Sequence, residues 1–261
     1  MFEFHVDRKR YFDIQALNAA RFVIPFIEEK FPITPGMRVL EIGCGEGGVL
    51  KAFIERGCSG VGVELEAIRI EWANEYLANE LAAGKVRFVS KDIYLTDPAT
   101  ELGGLFDIIV LKDVIEHIHD QPKLIGWMKG FLKPGGVIFF GFPPWQMPFG
   151  GHQQMCRNKW LSRLPYYHLL PRFMYRGLLK WKKEPVDALL EIRDTRISIE
   201  RFERICKNKG YRIVHTTHYL VNPIYEYKFG WKPRKQSKLV KAIPYVRDFL
   251  TTCVYYLVTP G

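Results

Sequence analysis

A short apolar run at residues 38–42 continues into Glu41-Ile42-Gly43-Cys44-Gly45-Glu46-Gly47-Gly48, and the class of fold can be predicted from this stretch. Such a run is typical of a strand that is buried on both faces. Glycines at 43, 45 and 47 let the backbone approach a ligand closely, and helical periodicity begins there. The stretch therefore predicts a strand, a ligand-binding loop and a helix in direct succession.

The same pattern continues to about residue 141. Four more apolar runs, rich in Val, Ile or Phe, follow the first, at residues 60–64, 86–89, 106–111 and 137–140. Segments with helical periodicity, at 47–56 and 66–83, lie between the first three of these runs. Strands that alternate with helices predict an open α/β domain, with a parallel sheet covered on both faces. A helix is also predicted over 8–30, before the Pro- and Gly-containing break at 31–36.

After residue 141 the composition changes. Pro, Gly and aromatic residues dominate 141–151, and a basic, aromatic, helix-like stretch follows at 155–183. A helix is predicted over 198–209, because Ser198 and Gly210 are good cap signals at its two ends. Apolar runs at 211–220 and 252–258 predict the last two strands. The expected organisation is one domain, divided into an N-terminal helical cap (1–35), a core (36–141), an insertion (142–197) and a C-terminal part (198–261).

Length and composition exclude several classes of protein. The 261 residues are 48% apolar and 25% charged, which is typical of a folded globular domain rather than a disordered or fibrous chain. No apolar run approaches the ~18 residues that span a bilayer, and the first residues lack the features of a secretory signal. The five cysteines form no CxxC pair. We therefore expect a cytoplasmic protein with reduced thiols and no transmembrane segment.

Two acidic residues and a turn make the kind of ligand site at the glycine-rich loop more specific. A lone loop of this kind would equally suit a nicotinamide or flavin site. Glu64, however, ends the second predicted strand, where its carboxylate could accept both ribose hydroxyls of a nucleoside. Asp92 follows the third strand, where it could accept the adenine amino group. Leu-Lys-Pro-Gly-Gly at 132–136 forms the turn before the fifth strand.

Together, in this order, these motifs resemble the class I S-adenosylmethionine-dependent methyltransferases over residues 36–141. The resemblance implies an open, mostly parallel seven-stranded sheet with helices on both faces, an antiparallel last strand and a helical lid formed by the insertion. It places the methionine part of the donor over the glycine-rich loop, the ribose on Glu64, and the adenine beside Asp92. The implied donor-binding residues are Glu41, Gly43, Cys44, Gly45, Gly47, Glu64, Leu65, Asp92, Ile93, Lys112 and Asp113.

Residues 112–120 follow the fourth strand and contain a group of acids and histidines. On a helix, Asp113, Glu116 and His117 would share one face. Three interpretations stay open: the segment only lines the donor pocket, His117 is a general base, or the three side chains hold Mg²⁺ or a transition metal. The segment resembles the acid-x-x-Glu-His motif of ubiquinone-biosynthesis O-methyltransferases and small-RNA 2′-O-methyltransferases, which supports the metal. Asp113 is shorter than the Glu at that position of the motif.

Residues 142–154 leave the carboxyl end of a central strand, where α/β sheets bind their substrates. Trp145 and Phe149 offer apolar faces, and His152 is a second candidate base, a further metal ligand or a structural turn residue. Neither Asn-Pro-Pro-Tyr nor Asp-Pro-Pro-Tyr occurs there, which favours an oxygen acceptor over a nitrogen acceptor. The predicted reaction is methyl transfer to a small-molecule, saccharide or lipid-precursor acceptor, with His117 or His152 taking the proton.

The net charge of +10 is carried by two segments. Residues 156–183 contain eight Lys or Arg and no acid, and residues 228–241 contain six and no acid. An anionic acceptor, a membrane surface contacted through 172–183, or nucleic acid would each suit such charge. The many aromatic residues among the bases favour an acceptor lid over a nucleic-acid track. An RNA methyltransferase and a non-catalytic donor-binding module stay open as alternatives.

Overall fold

A computed structural model describes residues 7–261, and its centre is one eight-stranded sheet. The strands are β1 (Arg38–Ile42), β2 (Ser59–Glu64), β3 (Val86–Ser90), β4 (Phe106–Lys112), β5 (Leu132–Phe142), β6 (Tyr211–Val221), β7 (Arg234–Lys235) and β8 (Cys253–Pro260). Their order across the sheet is β3-β2-β1-β4-β5-β8-β6-β7. Strands β1 to β5 are parallel, and β8 runs antiparallel to both of its neighbours.

This topology confirms the predicted open, mostly parallel sheet with an antiparallel last strand, but the expected strand number of seven is wrong. The eighth strand is β7, which belongs to the second basic segment and pairs with β6 through Tyr219–Lys235 and Val221–Arg234. Both of its residues are exposed. Two exposed residues carry no alternation of apolar and polar side chains, so the sequence holds no signal for this strand.

Twelve short α-helices surround the sheet within residues 7–261. They are α1 (Arg8–Asn18), α2 (Ile24–Glu28), α3 (Gly48–Glu55), α4 (Ala67–Tyr76), α5 (Ala78–Ala82), α6 (Gln121–Trp127), α7 (Arg172–Trp181), α8 (Val186–Thr195), α9 (Ile199–Asn208), α10 (Tyr225–Phe229), α11 (Lys238–Lys241) and α12 (Val246–Phe249). None of these helices has both the length and the apolar character that crossing a bilayer requires. The first six residues of the predicted N-terminal cap lie outside the described part of the chain.

The N-terminal helix predicted over 8–30 is present, but a π-helical turn at Ala19–Val23 divides it into α1 and α2. Pro25 stands at the start of α2 and has no backbone N–H to donate, which favours a wider turn just before it. The helix packs across α3, because Gly48 leaves room there. A Cβ on that glycine would lie 2.5 Å from the Phe12 carbonyl oxygen. The N-terminal helix therefore lies beside the glycine-rich loop.

Alternating side chains of the strands build a core on each face of the sheet. Leu40, Ile109 and Phe140 face one side, where α6 and α9 cover them. Val39 and Ile108 face the other side, where the N-terminal helix and α3 cover them. Both faces are buried at the centre of the sheet because β1, β4 and β5 have apolar residues at successive positions, as the sequence predicts for a doubly covered sheet.

The segment from 142 to 197 has a small core of its own. Its buried members are Cys156, Leu161, Tyr167, Tyr175, Leu179, Leu189 and Leu190. His168 connects distant parts of this segment. Its ring forms hydrogen bonds with Gln153 Nε2 at 2.7 Å and with the Trp145 carbonyl oxygen at 2.8 Å. Trp145 is itself buried, at 6% exposure. The prediction that the Trp145 ring faces an acceptor is therefore wrong, because that ring packs edge-on against His168 inside the segment.

Candidate active site

The glycine-rich loop turns the chain from β1 into α3 through three residues in the left-handed region. Gly43, Gly45 and Gly47 have φ values of +70°, +51° and +82°. Residues with a Cβ rarely adopt this conformation. A Cβ on Gly43 would also lie 2.6 Å from Cγ2 of Val114. Backbone conformation and close packing therefore both require glycine at position 43.

Glu64 ends β2, and its carboxylate reaches back to the loop. Oε2 accepts a hydrogen bond from the Gly45 N–H at 3.0 Å. Oε1 accepts from the Leu65 N–H at 2.8 Å and from the Glu66 N–H at 3.1 Å. A carboxylate offers about four acceptor positions, so this one keeps capacity for a ribose hydroxyl. Glu64 thus connects the loop to the start of α4.

The residues predicted to surround the adenine lie at the same edge of the sheet. Strand register pairs Glu64 with Ser90, which brings Leu65 and Asp92 to the carboxyl ends of adjacent strands. Asp92 Oδ1 accepts the Tyr94 N–H at 2.9 Å, and Ile93 is buried. Leu65 is 71% exposed, so its side chain can contact a ligand from the solvent side.

A cleft of about 80 Å³ opens beside the glycine-rich loop. The predicted donor-binding residues that line it are Glu41, Gly43, Cys44, Gly45, Lys112 and Asp113. Four residues that were not predicted to bind the donor also line it: Tyr11, Gln15, Glu46 and Arg69. Gln15 Nε2 donates to Tyr11 Oη at 2.7 Å. Tyr11 and Gln15 are four residues apart, which places them on one face of α1. The sequence does not show that this face lines the cleft, because that depends on the packing of α1 against α3.

The cleft is strongly charged on both sides. Lys112 Nζ lies 2.6 Å from Asp113 Oδ2, and Lys112 is buried. Glu41 is 3% exposed, and its Oε2 accepts no hydrogen bond from the described residues. Burial raises the pKa of the Glu41 carboxyl well above its usual range, although Lys112 opposes the shift. Glu46 lies between Arg8 at 3.3 Å and Arg69 at 3.9 Å. A ligand in this cleft would therefore lie close to both basic and acidic side chains.

The predicted helical face of Asp113, Glu116 and His117 does not form. Asp113 has a φ of +58°, and a 3₁₀ turn covers Ile115–His117. The Asp113 N–H donates to the Gly141 carbonyl oxygen at 2.7 Å, which keeps this residue at the end of the sheet. Its carboxylate pairs with Lys112 and does not join the group of ligand atoms that the other two side chains form. The spacing of i, i+3 and i+4 predicted a shared helical face wrongly, because the left-handed backbone of Asp113 interrupts the helical repeat.

Glu116, His117 and His152 come together instead. One ligand atom from each lies within 4.8 Å of the others, and the two imidazole centroids are 5.0 Å apart. The pairing of Lys112 with Gly141 makes β4 and β5 end side by side, so the segments that follow them meet. His152 has a φ of +53° at the start of a 3₁₀ turn, which directs it toward His117. No other such group occurs in residues 7–261.

The donor set of this cluster fits a divalent cation. Glu116 is 6% exposed, and its Oε2 has no hydrogen-bond partner among the described residues. Burial, reinforced by the nearby Asp113 charge, raises the pKa of the Glu116 carboxyl well above its usual range. Burial also lowers the pKa of His152 to about 3, so this ring is neutral near pH 7. Metal binding would displace the proton of Glu116, and its carboxylate with two imidazoles suits a transition metal better than Mg²⁺, which prefers oxygen ligands.

One residue of the second basic segment also reaches the site. Lys228, on α10, has its Nζ 5.3 Å from the centroid of the Tyr11 ring. Burial lowers the pKa of Lys228 to about 8, although the Asp113 charge opposes that shift. The sequence suggested that this basic segment lies wholly outside the donor-binding core. Lys228 departs from that expectation, because α10 packs against α1 through Ile224 and Ile14.

Comparison with known proteins identifies the family. A family model described as a methyltransferase domain matches residues 15–216. The ubiquinone biosynthesis O-methyltransferase of Bordetella avium (strain 197N) is 28% identical over 127 residues, which cover 49% of this chain and 50% of that protein. The chain thus spans about half the length of the curated relatives it matches.

Solved structures of methyltransferases share the fold. An S-adenosylmethionine-dependent methyltransferase from Clostridium acetobutylicum ATCC 824 superposes with a TM-score of 0.58 at 14% identity, covering 94% of this chain and 92% of that one. Magnesium protoporphyrin IX methyltransferase from Synechocystis PCC 6803, with bound SAH, gives a TM-score of 0.58 at 13% identity, covering 99% and 95%. Because the family model covers most of its length, the chain belongs to the methyltransferase-domain family.

Proposed function

We propose that this chain transfers the methyl group of S-adenosylmethionine to an oxygen atom of a small-molecule acceptor. The acceptor binds at the Glu116–His117–His152 cluster. The observation that carries the proposal is the cluster itself, with its three ligand atoms within 4.8 Å of one another. It follows β4 and β5 at the edge of the sheet where the donor cleft opens. The similarity to a ubiquinone biosynthesis O-methyltransferase supports oxygen as the acceptor atom.

The chemistry needs little more than alignment and a place for the proton. The donor is a sulfonium, so an acceptor oxygen held in line with the S–CH₃ bond can take the methyl group while S-adenosylhomocysteine leaves. The acceptor hydroxyl must also lose its proton. In the proposed arrangement the glycine-rich loop and Glu64 hold the donor, while Asp113 and Lys112 stand between the donor cleft and the cluster. The imidazoles of His117 and His152 can accept hydrogen bonds from an acceptor hydroxyl.

We also propose that Glu116, His117 and His152 hold a divalent transition metal ion. The partnerless buried Oε2 of Glu116 and the two adjacent imidazoles supply one oxygen and two nitrogen ligands. A bound ion would lower the pKa of a coordinated hydroxyl. The alternative that needs no metal is that His117 acts as the general base.

An acceptor screen tests the proposed reaction. The protein is incubated with S-adenosylmethionine and panels of phenols, sugars, prenyl alcohols, carboxylic acids and amines, and S-adenosylhomocysteine release is measured. Mass spectrometry and NMR locate the added methyl group. We expect methylated oxygen, with turnover reduced about 100-fold or more by His117→Ala and His152→Ala and donor affinity unchanged.

His119→Ala is the matched control, because His119 lies two residues from His117 but is exposed and pairs with Glu191 at 3.6 Å. It should leave turnover near the wild-type rate. Methylation confined to nitrogen or carbon would contradict the proposed acceptor atom. Full activity of the His117→Ala, His152→Ala double variant would contradict the proposed position of the acceptor.

Metal binding is measured separately from activity. Metal-free protein is titrated with Co²⁺, whose visible absorption reports bound imidazole and carboxylate ligands, and retained metal is counted by elemental analysis after dialysis. We expect about one ion per chain, lost in Glu116→Gln and His152→Ala and kept in His119→Ala. Failure of the wild-type chain to retain Co²⁺ or Zn²⁺ would contradict the metal proposal and leave His117 as the base.

A further inference from the structure

Helix α7 presents apolar side chains on two opposite faces. Tyr175 and Leu179 are buried in the small core of the 142–197 segment. Phe173 is 77% exposed and Trp181 is 72% exposed. These two lie eight residues apart with Gly177 midway, so they form one row on the helix face opposite the packed one. Folding of the domain gives no reason for two large aromatic side chains to stand in solvent there.

Basic side chains flank this exposed row. Arg176 and Lys180 are exposed on the neighbouring row of α7, and neither makes an ion pair with a described residue. Lys182 Nζ lies 3.7 Å from the centroid of the Trp181 ring, so that cation stands beside the aromatic face. The exposed aromatic residues of α7 and the bases without an ion pair therefore lie on adjoining rows of one helix surface. Trp160, earlier in the same basic segment, is 82% exposed.

The second basic segment repeats this arrangement. Leu239 is 81% exposed and lies among the lysines of 232–241, and Ile243 (50% exposed) and Tyr245 (69% exposed) follow directly after them. The chain that continues from the second segment contacts the first, because Tyr166 Oη donates to the Phe249 carbonyl oxygen, on α12, at 2.9 Å. Both segments that distinguish this chain after β5 thus expose large apolar side chains among bases.

We infer that these two segments form one surface that docks onto a lipid bilayer carrying anionic headgroups. The basic–apolar surface is defined by Trp160, Phe173, Trp181, Leu239, Ile243 and Tyr245, together with the bases between them. Exposed Trp, Tyr and aliphatic side chains enter the region of the headgroups, and Lys and Arg bind the anionic lipid phosphates. The bilayer supplies both partners that the surface lacks: an apolar phase and negative charge.

Charge complementarity selects the bilayer over a second copy of the chain. In a two-fold symmetric dimer the same patch faces itself, so the bases of one copy would lie against the bases of the other. Nucleic acid would satisfy the charge, but it offers no apolar phase for Leu239 and Ile243. Lys is also depleted from the centre of protein–protein interfaces, and this surface is rich in Lys.

The position of the surface has a consequence for the acceptor. The 142–197 segment carries both α7 and His152, so docking through α7 would hold one wall of the candidate site at the membrane. An acceptor dissolved in the bilayer could then enter without crossing much water. The surface itself is inferred from exposure and charge, and it does not depend on which atom the enzyme methylates.

Vesicle flotation with the full chain tests the inference. Vesicles of phosphatidylcholine alone are compared with vesicles containing about 30% phosphatidylglycerol, at about 0.1 M NaCl, where charge attraction is only partly screened. We expect the chain to float with the anionic vesicles only. Phe173→Ser with Trp181→Ser, and separately Arg176→Ala with Lys180→Ala, should each weaken binding about tenfold or more.

Matched controls keep the test decisive. Leu17→Ser changes a residue that is 53% exposed on α1, and Arg204→Ala with Lys207→Ala removes two exposed charges from α9. Both should bind vesicles like the wild type, and all variants should bind S-adenosylhomocysteine normally if they are folded. The inference is overturned if the wild type ignores anionic vesicles, or if the Phe173, Trp181 variant still binds them. It is equally overturned if that variant converts a dimer to a monomer or abolishes RNA binding instead.

Discussion

Both oxygens of Glu64 accept hydrogen bonds from the backbone around them. One holds Gly45 in the loop, and the other caps the start of α4 through the N–H groups of Leu65 and Glu66. A hydrogen bond to a charged acceptor contributes about 1.5–3 kcal/mol, so this single side chain strongly influences the shape of the loop. We therefore propose that Glu64 acts in donor binding both by direct contact with the donor and by positioning the loop.

Glu64→Ala should weaken S-adenosylhomocysteine binding about tenfold or more, measured by calorimetry. The physical reason is that the loop loses the 3.0 Å bond at Gly45 and the ribose loses its acceptor. Glu66→Ala is the control, because the Glu66 side chain is exposed and bonds only Arg69. Unchanged affinity in Glu64→Ala would contradict the assignment of this edge of the sheet to the donor.

Gly43→Ala should destabilise the fold by about 2–4 kcal/mol, as followed by thermal or urea unfolding. Left-handed strain contributes about 1–2 kcal/mol, and the added methyl group would lie 2.6 Å from Val114 Cγ2. Gly84→Ala separates the two causes, because Gly84 has a φ of +66° and no atom within 4 Å of an added Cβ. Equal losses of stability in the two variants would show that the Val114 contact has no effect.

At the scale of elements, the segment after β6 is held to α9 by a buried acidic pair. Asp248 Oδ1 accepts the Ile199 N–H at 2.9 Å, at the start of α9. Arg247 bonds Glu200 at 2.9 Å and Glu203 at 2.7 Å. Asp248 Oδ2 and Glu200 Oε2 are both buried, and each is the only hydrogen-bond partner that the described residues offer the other. A proton shared between these two oxygens would satisfy both.

This pair should make stability depend on pH. Burial, followed by the hydrogen bond to Glu200, raises the pKa of Asp248 from 3.8 to about 8. The folded state therefore keeps a proton that the unfolded state releases above pH 4. The free energy of unfolding should fall as pH rises from about 5 to 8, by at most about 1.4 kcal/mol per pH unit. Urea unfolding across this range measures the slope.

Asp248→Asn should flatten that slope, because its amide can keep the bond to Ile199 and donate to Glu200 without a titrating proton. The exposed Asp187→Asn variant is the control and should keep the wild-type slope. A wild-type stability that stays constant between pH 5 and 8 would contradict the shared proton.

At the scale of the whole molecule, the last strand joins the two parts of the sheet. Strand β8 lies between β5 and β6, and its residues from Val254 to Val258 are buried. A chain ending at residue 251 should therefore not reach a folded, donor-binding state, as judged by circular dichroism and calorimetry. A chain ending at residue 259 is the control and should fold. Cooperative unfolding of the shorter chain would mean that 7–251 is a domain without β8.

Predictability from sequence follows how local the relevant signal is. The alternation of strands and helices up to residue 141, the loop at 43–47 and the acid that ends β2 are local patterns, and the structure has them in the predicted order. The fifth strand begins earlier than predicted, at Leu132, and includes the residues predicted to form the turn at 132–136. The helix over 113–117 was wrong because a single left-handed residue, Asp113, changes the chain direction. Tyr11 was missed because its role depends on a packing contact between elements far apart in sequence.

The sequence by itself determined the class of fold and the residues that identify the family, since residue spacing reports strand, loop and helix directly. Only the tertiary structure decided that His152 joins Glu116 and His117, and that Phe173 and Trp181 face solvent. The first depends on β4 and β5 ending side by side, and the second on which face of α7 packs inward. Both are relations between distant parts of the chain, which periodicity along one element cannot encode.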